Sequence, residues 1–368
     1  MLGAASARAD QDPEGSFRTF PSSIQWTAEL PAPAIVPPVS SGDLVVVSLI
    51  SAEILAKDVS TGRDVWKANL AATAPIAASD GMVLVATKDG VYALSAGDGA
   101  IKWKKEITGV TVAPVLAGGW AIVASADTLT ALRAADGEVV WSRTIAPVLY
   151  PSTIDGDLVF QPFEDGRVVA LDLTSGSPRW ETKVGEIHTA PLVYRGRLYL
   201  GAEKQLFCLR TENGFVEWQQ RIGAALVGGI AADDEQIYTA SMDNLLTAFR
   251  RTNGAREWDE DLRYRPTAGP VLTGSSVTAP GRSNTLRAFN VSRGTEAARL
   301  ALPSQAVTSP VTIPPDESSP GRLAIVANEV GKPWLLVVAA EAPPAPPALP
   351  VTPLSALPGT SLPVPRAL

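Results

Sequence analysis

Tryptophan recurs at an almost constant interval along this sequence, and that interval limits the fold more than any other feature. Successive members of the series are 40, 37, 38, 39, 38 and 40 residues apart. From the second member on, a glycine stands four residues before each tryptophan and a small residue stands ten before it. Internal repetition at this period predicts an architecture built from repeated units. The series is Trp26, Trp66, Trp103, Trp141, Trp180, Trp218 and Trp258.

A second marker, which is proline in all units but one, stands at the start of a short apolar run in each unit. It occurs eight times, which indicates eight units. After the last tryptophan a further 40 residues reach Ala298, where the preceding Gly294 is kept and the tryptophan is lost. The markers are Pro38, Pro75, Pro114, Pro151, Pro191, Gly229, Pro270 and Pro310.

Each unit contains four short apolar or alternating stretches separated by turn residues. In the second unit Asp80-Gly81 is followed by MVLVAT, then VYALS, then a Gly-Asp-Gly turn and IKW ending at Trp103. Such runs separated by Asp-Gly or Asn-Gly are typical of β-hairpins. Four-stranded antiparallel units repeated around a ring form a β-propeller. We therefore predict an all-β, eight-bladed β-propeller of four-stranded antiparallel blades.

The two ends of the repeat array complement each other. The eighth unit, from about Ala306, supplies three strands and stops before its Gly-x-x-x-Trp strand. The stretch 22–30, SSIQWTAEL, begins the array with that missing strand. Pairing the two closes the ring and removes unpaired sheet edges. We expect the N-terminal strand to close the ring, with an open solenoid as the weaker alternative.

The composition changes on both sides of the array, which divides the chain into segments 1–21, 22–340 and 341–368. The first contains small-x-small patterns (Ala5-Ser6-Ala7 and Ala7-Arg8-Ala9) like those at signal-peptidase sites. A signal-peptide remnant and a disordered Ala-rich tail are equally good interpretations of it. The last has nine prolines in 28 residues, so we expect a disordered, extended tail.

Composition excludes several classes of function. The net charge of −7 argues against nucleic-acid binding, which needs a basic stripe to neutralise phosphates. No stretch approaches the roughly 18 uninterrupted apolar residues of a membrane helix, so we expect a soluble chain without a transmembrane segment. A single cysteine, Cys208, permits no intramolecular disulfide. With His188 as the only histidine, zinc clusters and histidine-based triads have few residues to use.

The repeated motif resembles the PQQ-like β-propeller repeat over residues 22–340. The residues that carry it are Tyr92-Ala93-Leu94 with Asp98-Gly99 and Trp103, repeated as Ala170-Leu171-Asp172 with Ser175-Gly176 and Trp180. The resemblance implies one of two branches. Quinoprotein dehydrogenases hold PQQ and calcium on the propeller axis, whereas BamB-type outer-membrane assembly factors are eight-bladed scaffolds of about this size without a cofactor.

The residues expected near the axis favour the second branch. Quinoprotein dehydrogenases resemble one another in having adjacent cysteines, calcium-ligating carboxylates and a catalytic aspartate. Here Cys208 stands alone, and apart from His188 the positions before each marker are small, apolar or hydroxylated. A hard cation needs several oxygen ligands in one place. We therefore predict no catalytic residue, no bound cofactor and no metal site.

The tryptophans and the cysteine have structural interpretations. Burying one tryptophan removes about 150–250 Å² from water, so seven equivalent copies indicate packing between blades. The small residue ten places earlier makes room for the ring, and Cys208 occupies one of these positions as a buried filler. We interpret His188 as a polar residue lining the axial channel.

The prediction for function is a non-catalytic propeller scaffold that mediates protein–protein interactions in the periplasm or cell envelope, including outer-membrane protein assembly. Its partners would be other envelope proteins, among them an outer-membrane β-barrel, with the chain a monomer within a complex. Loops that break the repeat would carry the contacts. The candidates are Tyr150, Phe163, Arg263 and Arg265. The alternatives are a PQQ-dependent quinoprotein oxidoreductase, or a small-molecule or glycan-binding sensor that uses the axial channel.

Overall fold

The computed structural model describes residues 23–34, 36–306, 308–314, 321–329 and 332–339. Within these ranges the chain forms 33 β-strands and no helix, hence none that could span a membrane. The predicted terminal segments 1–21 and 341–368 lie outside the described residues. The first strand, β1 (Ser23–Glu29), is followed by seven sheets of four consecutive strands and one final sheet to which β1 itself belongs.

Seven blades have the same antiparallel order, first to fourth strand, from the axis outward. Blades 1 to 4 are β2 (Val39–Ser41), β3 (Leu44–Leu49), β4 (Glu53–Asp58) and β5 (Asp64–Asn69); β6 (Ala77–Ser79), β7 (Met82–Thr87), β8 (Gly90–Ser95) and β9 (Ile101–Lys105); β10 (Val115–Ala117), β11 (Trp120–Ala124), β12 (Thr128–Arg133) and β13 (Val139–Thr144); β14 (Thr153–Asp155), β15 (Leu158–Pro162), β16 (Arg167–Asp172) and β17 (Pro178–Lys183). Blades 5 to 7 are β18 (Leu192–Tyr194), β19 (Arg197–Ala202), β20 (Gln205–Arg210) and β21 (Val216–Arg221); β22 (Ala231–Ala232), β23 (Gln236–Ala240), β24 (Leu245–Arg250) and β25 (Arg256–Asp261); β26 (Val271–Thr273), β27 (Ser276–Thr278), β28 (Thr285–Asn290) and β29 (Glu296–Ala301).

Blade 8 is assembled from both ends of the described chain. The short strands β30 (Gln305–Ala306) and β31 (Val311–Ile313) both pair with β32 (Arg322–Glu329), which pairs with β33 (Lys332–Ala339). Strand β1 completes the sheet by pairing antiparallel with β33, from Ser23 opposite Ala339 to Glu29 opposite Trp334. On the axis β2 contacts both β6 and β31, so the ring is closed. The predicted eight blades and N-terminal closing strand are confirmed.

Burial follows the position of each strand in its blade. Second and third strands have a neighbouring blade on both faces, so they read as continuous apolar runs; β7, MVLVAT, is buried along its whole length. Fourth strands lie at the rim and mostly point only one side chain inward, as in β9, where Trp103 alone is buried. Among the described residues, the buried side chains therefore form eight clusters, one at each junction between adjacent blades.

The hairpin connections define two faces of the ring. Turns joining first to second and third to fourth strands emerge on one side, which we call the turn face; 80–81 and 96–100 are examples in blade 2. Turns joining second to third strands, such as 88–89, and the loops between blades, such as 106–114, emerge on the opposite side, the loop face. The loops between blades are longer than the hairpin turns.

One contact joins successive blades and explains the repeated motif. The indole Nε1 of Trp103, in blade 2, donates a hydrogen bond of 2.7 Å to the carbonyl oxygen of Ala134 in blade 3. Its ring lies against Gly137 of the same turn, so closely that an added Cβ would be 2.7 Å from ring atom Cδ2. We call this pair of interactions the Trp–Gly contact. It recurs from the junction of blades 8 and 1 to that of blades 6 and 7: Trp26 with Val59 and Gly62, Trp66 with Ala96 and Gly99, Trp103 with Ala134 and Gly137, Trp141 with Leu173 and Gly176, Trp180 with Thr211 and Gly214, Trp218 with Arg251 and Gly254, and Trp258 with Val291 and Gly294.

The small residue ten positions earlier is the cross-strand partner of the tryptophan. Ala93 lies opposite Trp103, and Cys208 lies opposite Trp218. A small side chain on the third strand leaves room for the indole to lie across it toward the next blade. Each such ring contributes on the order of 4–6 kcal/mol of apolar burial as an upper bound, plus about 1 kcal/mol for its hydrogen bond.

The junction of blades 7 and 8 lacks the Trp–Gly contact. Ala298 takes the place of the tryptophan, and blade 8 has no turn between third and fourth strands because β1 comes from the start of the array. Aliphatic side chains fill this junction instead, among them Leu286, Leu302, Leu323 and Ile325. Ring closure here therefore depends on nonpolar packing and on the β1–β33 ladder.

Two glycines of blade 3 provide a matched test of the Trp–Gly contact. Gly118 and Gly137 both have positive φ, 56° and 71°, but a Cβ at Gly118 would meet nothing within 4 Å. We expect Gly118→Ala to cost about 1–2 kcal/mol through backbone strain, and Gly137→Ala about 1–3 kcal/mol more because the Trp103 ring must move. Urea unfolding monitored by tryptophan fluorescence measures both. Equal costs would show that the ring contact contributes nothing.

Candidate protein-interaction surface

The four predicted contact residues all lie on the loop face, in two separate sectors. Tyr150 is in the loop between β13 and β14, and Phe163 is in the turn between β15 and β16. Arg263 and Arg265 are both in the loop between β25 and β26, on the far side of the ring. The structure thus places the four on one face, with two at blades 3 and 4 and two at blades 6 and 7.

In the first sector the exposed apolar side chain is that of Leu149, and the predicted Phe163 is buried. Phe163, expected at the surface, is only 7% exposed, because the aliphatic core between blades 3 and 4 encloses its ring and Arg167 lies 5.4 Å above it. Tyr150 is half-buried, and that burial raises the pKa of its hydroxyl. Leu149, by contrast, is 57% exposed. The apolar run Ile145–Leu149 outside any strand was the available signal for it.

A buried amide holds this loop in place. Gln161 is fully buried, and its Oε1 accepts a 2.6 Å hydrogen bond from Ser152 Oγ. Its Nε2 donates to the carbonyl oxygens of Pro162 and Tyr150, at 2.7 and 3.3 Å. A buried side chain that satisfies its partners in this way fixes the backbone on which they lie. Leu149 is consequently presented from an anchored loop.

The second sector is anchored by a buried arginine. Arg287, only 8% exposed, donates from Nη1 to the carbonyl oxygens of Asp261 (2.9 Å) and Leu262 (2.7 Å), where the loop begins. Its Nη2 donates to Glu296 at 2.8 Å, and its guanidinium lies 4.8 Å from the Phe289 ring centre. The positive charge is thus compensated while the loop carbonyls, left unpaired by the end of β25, are satisfied.

Hydrogen bonds to Arg299 and Arg287 lower the pKa of the Glu296 carboxyl to about 2. The carboxylate therefore stays ionised at any pH at which the protein is expected to function. Glu296 is the counter-ion through which Arg287 keeps its charge beneath the loop.

His188 lines an open depression on the loop face with Glu186, Glu203, Lys204 and Arg221. Its backbone N–H donates to the carbonyl of Gly201 at 2.8 Å. Across the described part of the chain, no three His, Cys, Asp or Glu side chains converge in a way that could hold a metal ion. The depression is a surface that carries both positive and negative side chains.

In the unit that has glycine at the proline marker, backbone approaches backbone at the preceding residue, Gly228, whereas an added Cβ at Gly229 itself would meet nothing within 4 Å. Gly228 and Gly229 open blade 6 against Gly269 of blade 7, and an added Cβ at Gly228 would be 2.1 Å from the Gly269 amide nitrogen. One at Gly269 would be 2.3 Å from the Gly229 carbonyl oxygen. Backbone lies against backbone here, so the loop between blades 5 and 6 has no room for a side chain at Gly228.

Cys208 is inaccessible from the surface. Its side chain is 0% exposed, and burial raises the pKa of its thiol to about 12. The thiolate, which is the nucleophilic form, is therefore absent at neutral pH.

Comparison with known sequences identifies a family of similar proteins. Residues 51–260, with an overlapping second match over 183–320, fit the profile of a family described as outer membrane protein assembly factor BamB. A relative of that description from Yersinia pestis is 25% identical over 206 residues, covering 49% of this chain and 52% of the relative. One from Burkholderia pseudomallei (strain K96243) is 28% identical over 237 residues, covering 58% and 61%. The matched part thus spans between half and two thirds of each curated relative.

Solved structures share the fold. BamB from Moraxella catarrhalis superimposes with a TM-score of 0.71 at 20% identity, covering 85% of this chain and 97% of that one. Quinohemoprotein alcohol dehydrogenase from Comamonas testosteroni superimposes with a TM-score of 0.67 at 14% identity, covering 88% and 78%. At such identities the likeness concerns the fold alone, so the propeller by itself does not separate a scaffold from an enzyme.

The environment of Cys208 predicts its reactivity. We expect a thiol reagent such as 5,5′-dithiobis(2-nitrobenzoic acid) to label native protein only as fast as the blade opens, and to label one thiol per chain in guanidinium chloride. Absorbance at the thionitrobenzoate band follows the reaction. Rapid, stoichiometric labelling of native protein at pH 7 would contradict the buried position.

The lowered pKa of Glu296 predicts that part of the protein's stability is lost in acid. Because its pKa is lowered from the ordinary 4.5 to about 2, its contribution to stability is complete above about pH 4.5 and is lost as pH falls towards 2. Glu296→Gln should therefore lower the Tm at pH 6 and reduce the drop in Tm between pH 6 and pH 3. The control is Glu164→Gln, which removes an exposed carboxylate on the loop face. Identical Tm–pH profiles for the wild type and Glu296→Gln would contradict this role.

Proposed function

Because the chain belongs to the family of outer membrane protein assembly factor BamB, we propose that it is a non-catalytic propeller scaffold that binds other proteins of the cell envelope. The observation that carries the proposal is the family match over residues 51–320, which covers most of the ring. The function that follows is participation in outer-membrane protein assembly, as the relatives' descriptions state for them. An outer-membrane β-barrel protein is one partner of the expected kind.

The loop face is the surface we assign to partner binding. Its loops between blades are longer and differ from one blade to the next, whereas the turn face repeats the same glycine turns that make the Trp–Gly contact. Exposed apolar side chains on the loop face are Ile50, Leu149 and Met242. Buried amide and guanidinium groups hold two of the loops, so binding there costs little ordering entropy.

A quinoprotein oxidoreductase is the main alternative from another class. Quinoprotein dehydrogenases share the propeller fold. Resemblance to them would require adjacent cysteines and a set of carboxylates on the axis. Cys208 is the single cysteine of the chain and lies within a blade, opposite Trp218. His188 lies among side chains of both charges, an arrangement that favours neither a quinone nor a calcium ion. A sensor that binds a small molecule or glycan in the channel is the second alternative.

We place the scaffold in the periplasm or cell envelope, as a monomer within a larger complex. The small-x-small patterns in segment 1–21 support export, and the Pro-rich segment 341–368 has the composition of a spacer. Both ends of the propeller, Ser23 and Ala339, lie side by side on the turn face, opposite to the face that we assign to partner binding.

Affinity purification from detergent-solubilised envelope tests the scaffold and the face together. Leu149→Asp changes an exposed leucine of the loop face, and Phe215→Asp changes a comparably exposed residue (62%) of the turn face. We expect the wild type and Phe215→Asp to recover envelope proteins. We expect Leu149→Asp to bind them at least about tenfold more weakly, equivalent to about 1.4 kcal/mol.

Two results would contradict the proposal. If Phe215→Asp weakens recovery and Leu149→Asp does not, the turn face binds the partner. If purified protein shows a quinone absorbance band and calcium-dependent dye reduction, the enzyme alternative is correct. Thermal melts of both variants confirm that each remains folded.

A further inference from the structure

Three exposed arginines lie together on the loop face at blades 6 and 7. Arg263 and Arg265 are in the loop between β25 and β26, and Arg282 is in the turn between β27 and β28. The backbone N–H of Arg282 donates to the carbonyl of Arg265 at 2.9 Å, and Pro266 pairs with Gly281 alongside. The loop of one blade junction and the turn of the next blade therefore form one continuous surface, which we call the arginine platform.

The platform differs from most arginine sites of this protein in its pairing. Among the described residues, none of its three guanidinium groups makes an ion pair. Elsewhere arginines are matched with carboxylates, as in these pairs: Arg133 with Asp136, Arg179 with Asp172, Arg195 with Asp234, Arg210 with Glu217, Arg250 with Glu257 and Arg299 with Glu296. Two nearby carboxylates are engaged locally: Asp261, the last residue of β25, accepts the Arg263 backbone N–H, and Asp243, in the turn between β23 and β24, accepts the Ser241 hydroxyl.

The platform is rigid although it is exposed. Arg263 has a φ of +60°, a conformation that the surrounding structure must hold in place. The hydroxyl of Tyr264 donates to the Ala279 carbonyl at 2.7 Å, and Gly281 lies so close to that ring that a Cβ would be 2.5 Å from it. With Arg287 holding the start of the loop, the backbone of all three arginines is fixed from beneath.

Met242 adds an apolar contact to the platform. It is 44% exposed in the turn between β23 and β24, and its sulfur lies 3.1 Å from Nη2 of Arg265. Arginine and methionine are both enriched at protein interfaces, where guanidinium groups bind carboxylates through two parallel hydrogen bonds. Exposed cations without acidic partners, next to an exposed thioether, have the chemistry of a binding surface for an acidic segment.

We propose that the arginine platform, with Met242, binds an acidic segment of a protein partner. The inference rests on the proposed function in assuming a protein partner, and it specifies that partner's charge and the sector of the loop face it occupies. An anionic membrane surface fits less well, because lipid headgroup recognition uses clusters of about 4–8 basic residues. A chain of net charge −7 is also repelled by such a surface.

Direct binding of a defined probe tests the platform. The probe is a fluorescein-labelled twelve-residue peptide of alternating glutamate and leucine, with a control peptide in which glutamine replaces glutamate. Fluorescence anisotropy is measured with the full chain, with the triple variant Arg263→Ala/Arg265→Ala/Arg282→Ala, and with Arg63→Ala/Arg133→Ala/Arg256→Ala on the turn-face side. Both triple variants change the net charge equally, and thermal melts establish that both fold.

We expect the glutamate peptide to bind the wild type and the control triple variant alike, and to bind the platform variant at least about tenfold more weakly. Binding of the glutamate peptide to the wild type should weaken as the salt concentration rises from 50 to 300 mM. The glutamine peptide should bind the wild type as weakly as the glutamate peptide binds the platform variant. Equal losses in both triple variants, equal binding of the two peptides, or tighter binding to phosphatidylglycerol vesicles than to the peptide would each overturn the proposal.

Envelope purification separates this inference from the proposed function. Loss of recovered partners in the platform variant, with retention in the control triple variant, supports both. If the platform variant recovers envelope proteins as well as the wild type does, the scaffold stands and the arginine platform is overturned as its binding site.

Discussion

At seven of the eight junctions of this ring, one blade is held to the next by an indole ring lying against a glycine. The contact has three requirements. The indole N–H must reach a carbonyl of the next blade, the ring must bury a large apolar surface, and the turn must have no Cβ where the ring lies. Because the glycine also needs positive φ to make its own hairpin, one residue serves the turn and the junction together. The rest of the architecture, including the small residue across from the indole, follows from fitting this contact at a fixed interval.

This dependence explains which parts of the fold could be predicted from the sequence. The intervals of Trp, Gly and proline indicated the number of blades, and the Trp and Gly intervals report a contact that recurs from blade to blade. Ring closure could be predicted because the eighth unit lacks the strand that β1 supplies. The binding surface could not be predicted in the same way. Exposure of a loop side chain depends on local packing without a period: Phe163 and Leu149 are both apolar loop residues near blades 3 and 4, yet the first is buried and the second is exposed. The roles of Arg287 and Gln161 beneath the loops also have no sequence signature, since each depends on carbonyls brought near by the fold.

Places where the repeat fails are informative in two different ways. At Gly229 the proline marker is lost beside a close backbone contact, which lies between the preceding Gly228 and Gly269 of blade 7. At Ala298 the tryptophan is lost because the receiving blade has no turn to offer, which follows from where the array starts and stops. Neither departure indicates a catalytic or ligand-binding site. The departures that bear on binding are in the loops between blades, where apolar and cationic side chains are exposed on supported backbone.

The pairing of Ser23 with Ala339 has a mechanical consequence. These residues are opposite each other at one end of the β1–β33 ladder. A force that separates them would load that antiparallel ladder from its end, so its hydrogen bonds would break one after another instead of sharing the load. The junction behind it, between blades 7 and 8, is the one without an indole across it. Under tension between its ends the ring would thus unzip at blade 8 first. Trp26 lies on β1, so its contact with blade 1 would be lost as that strand detaches, while the other six indole-bridged junctions remained in place.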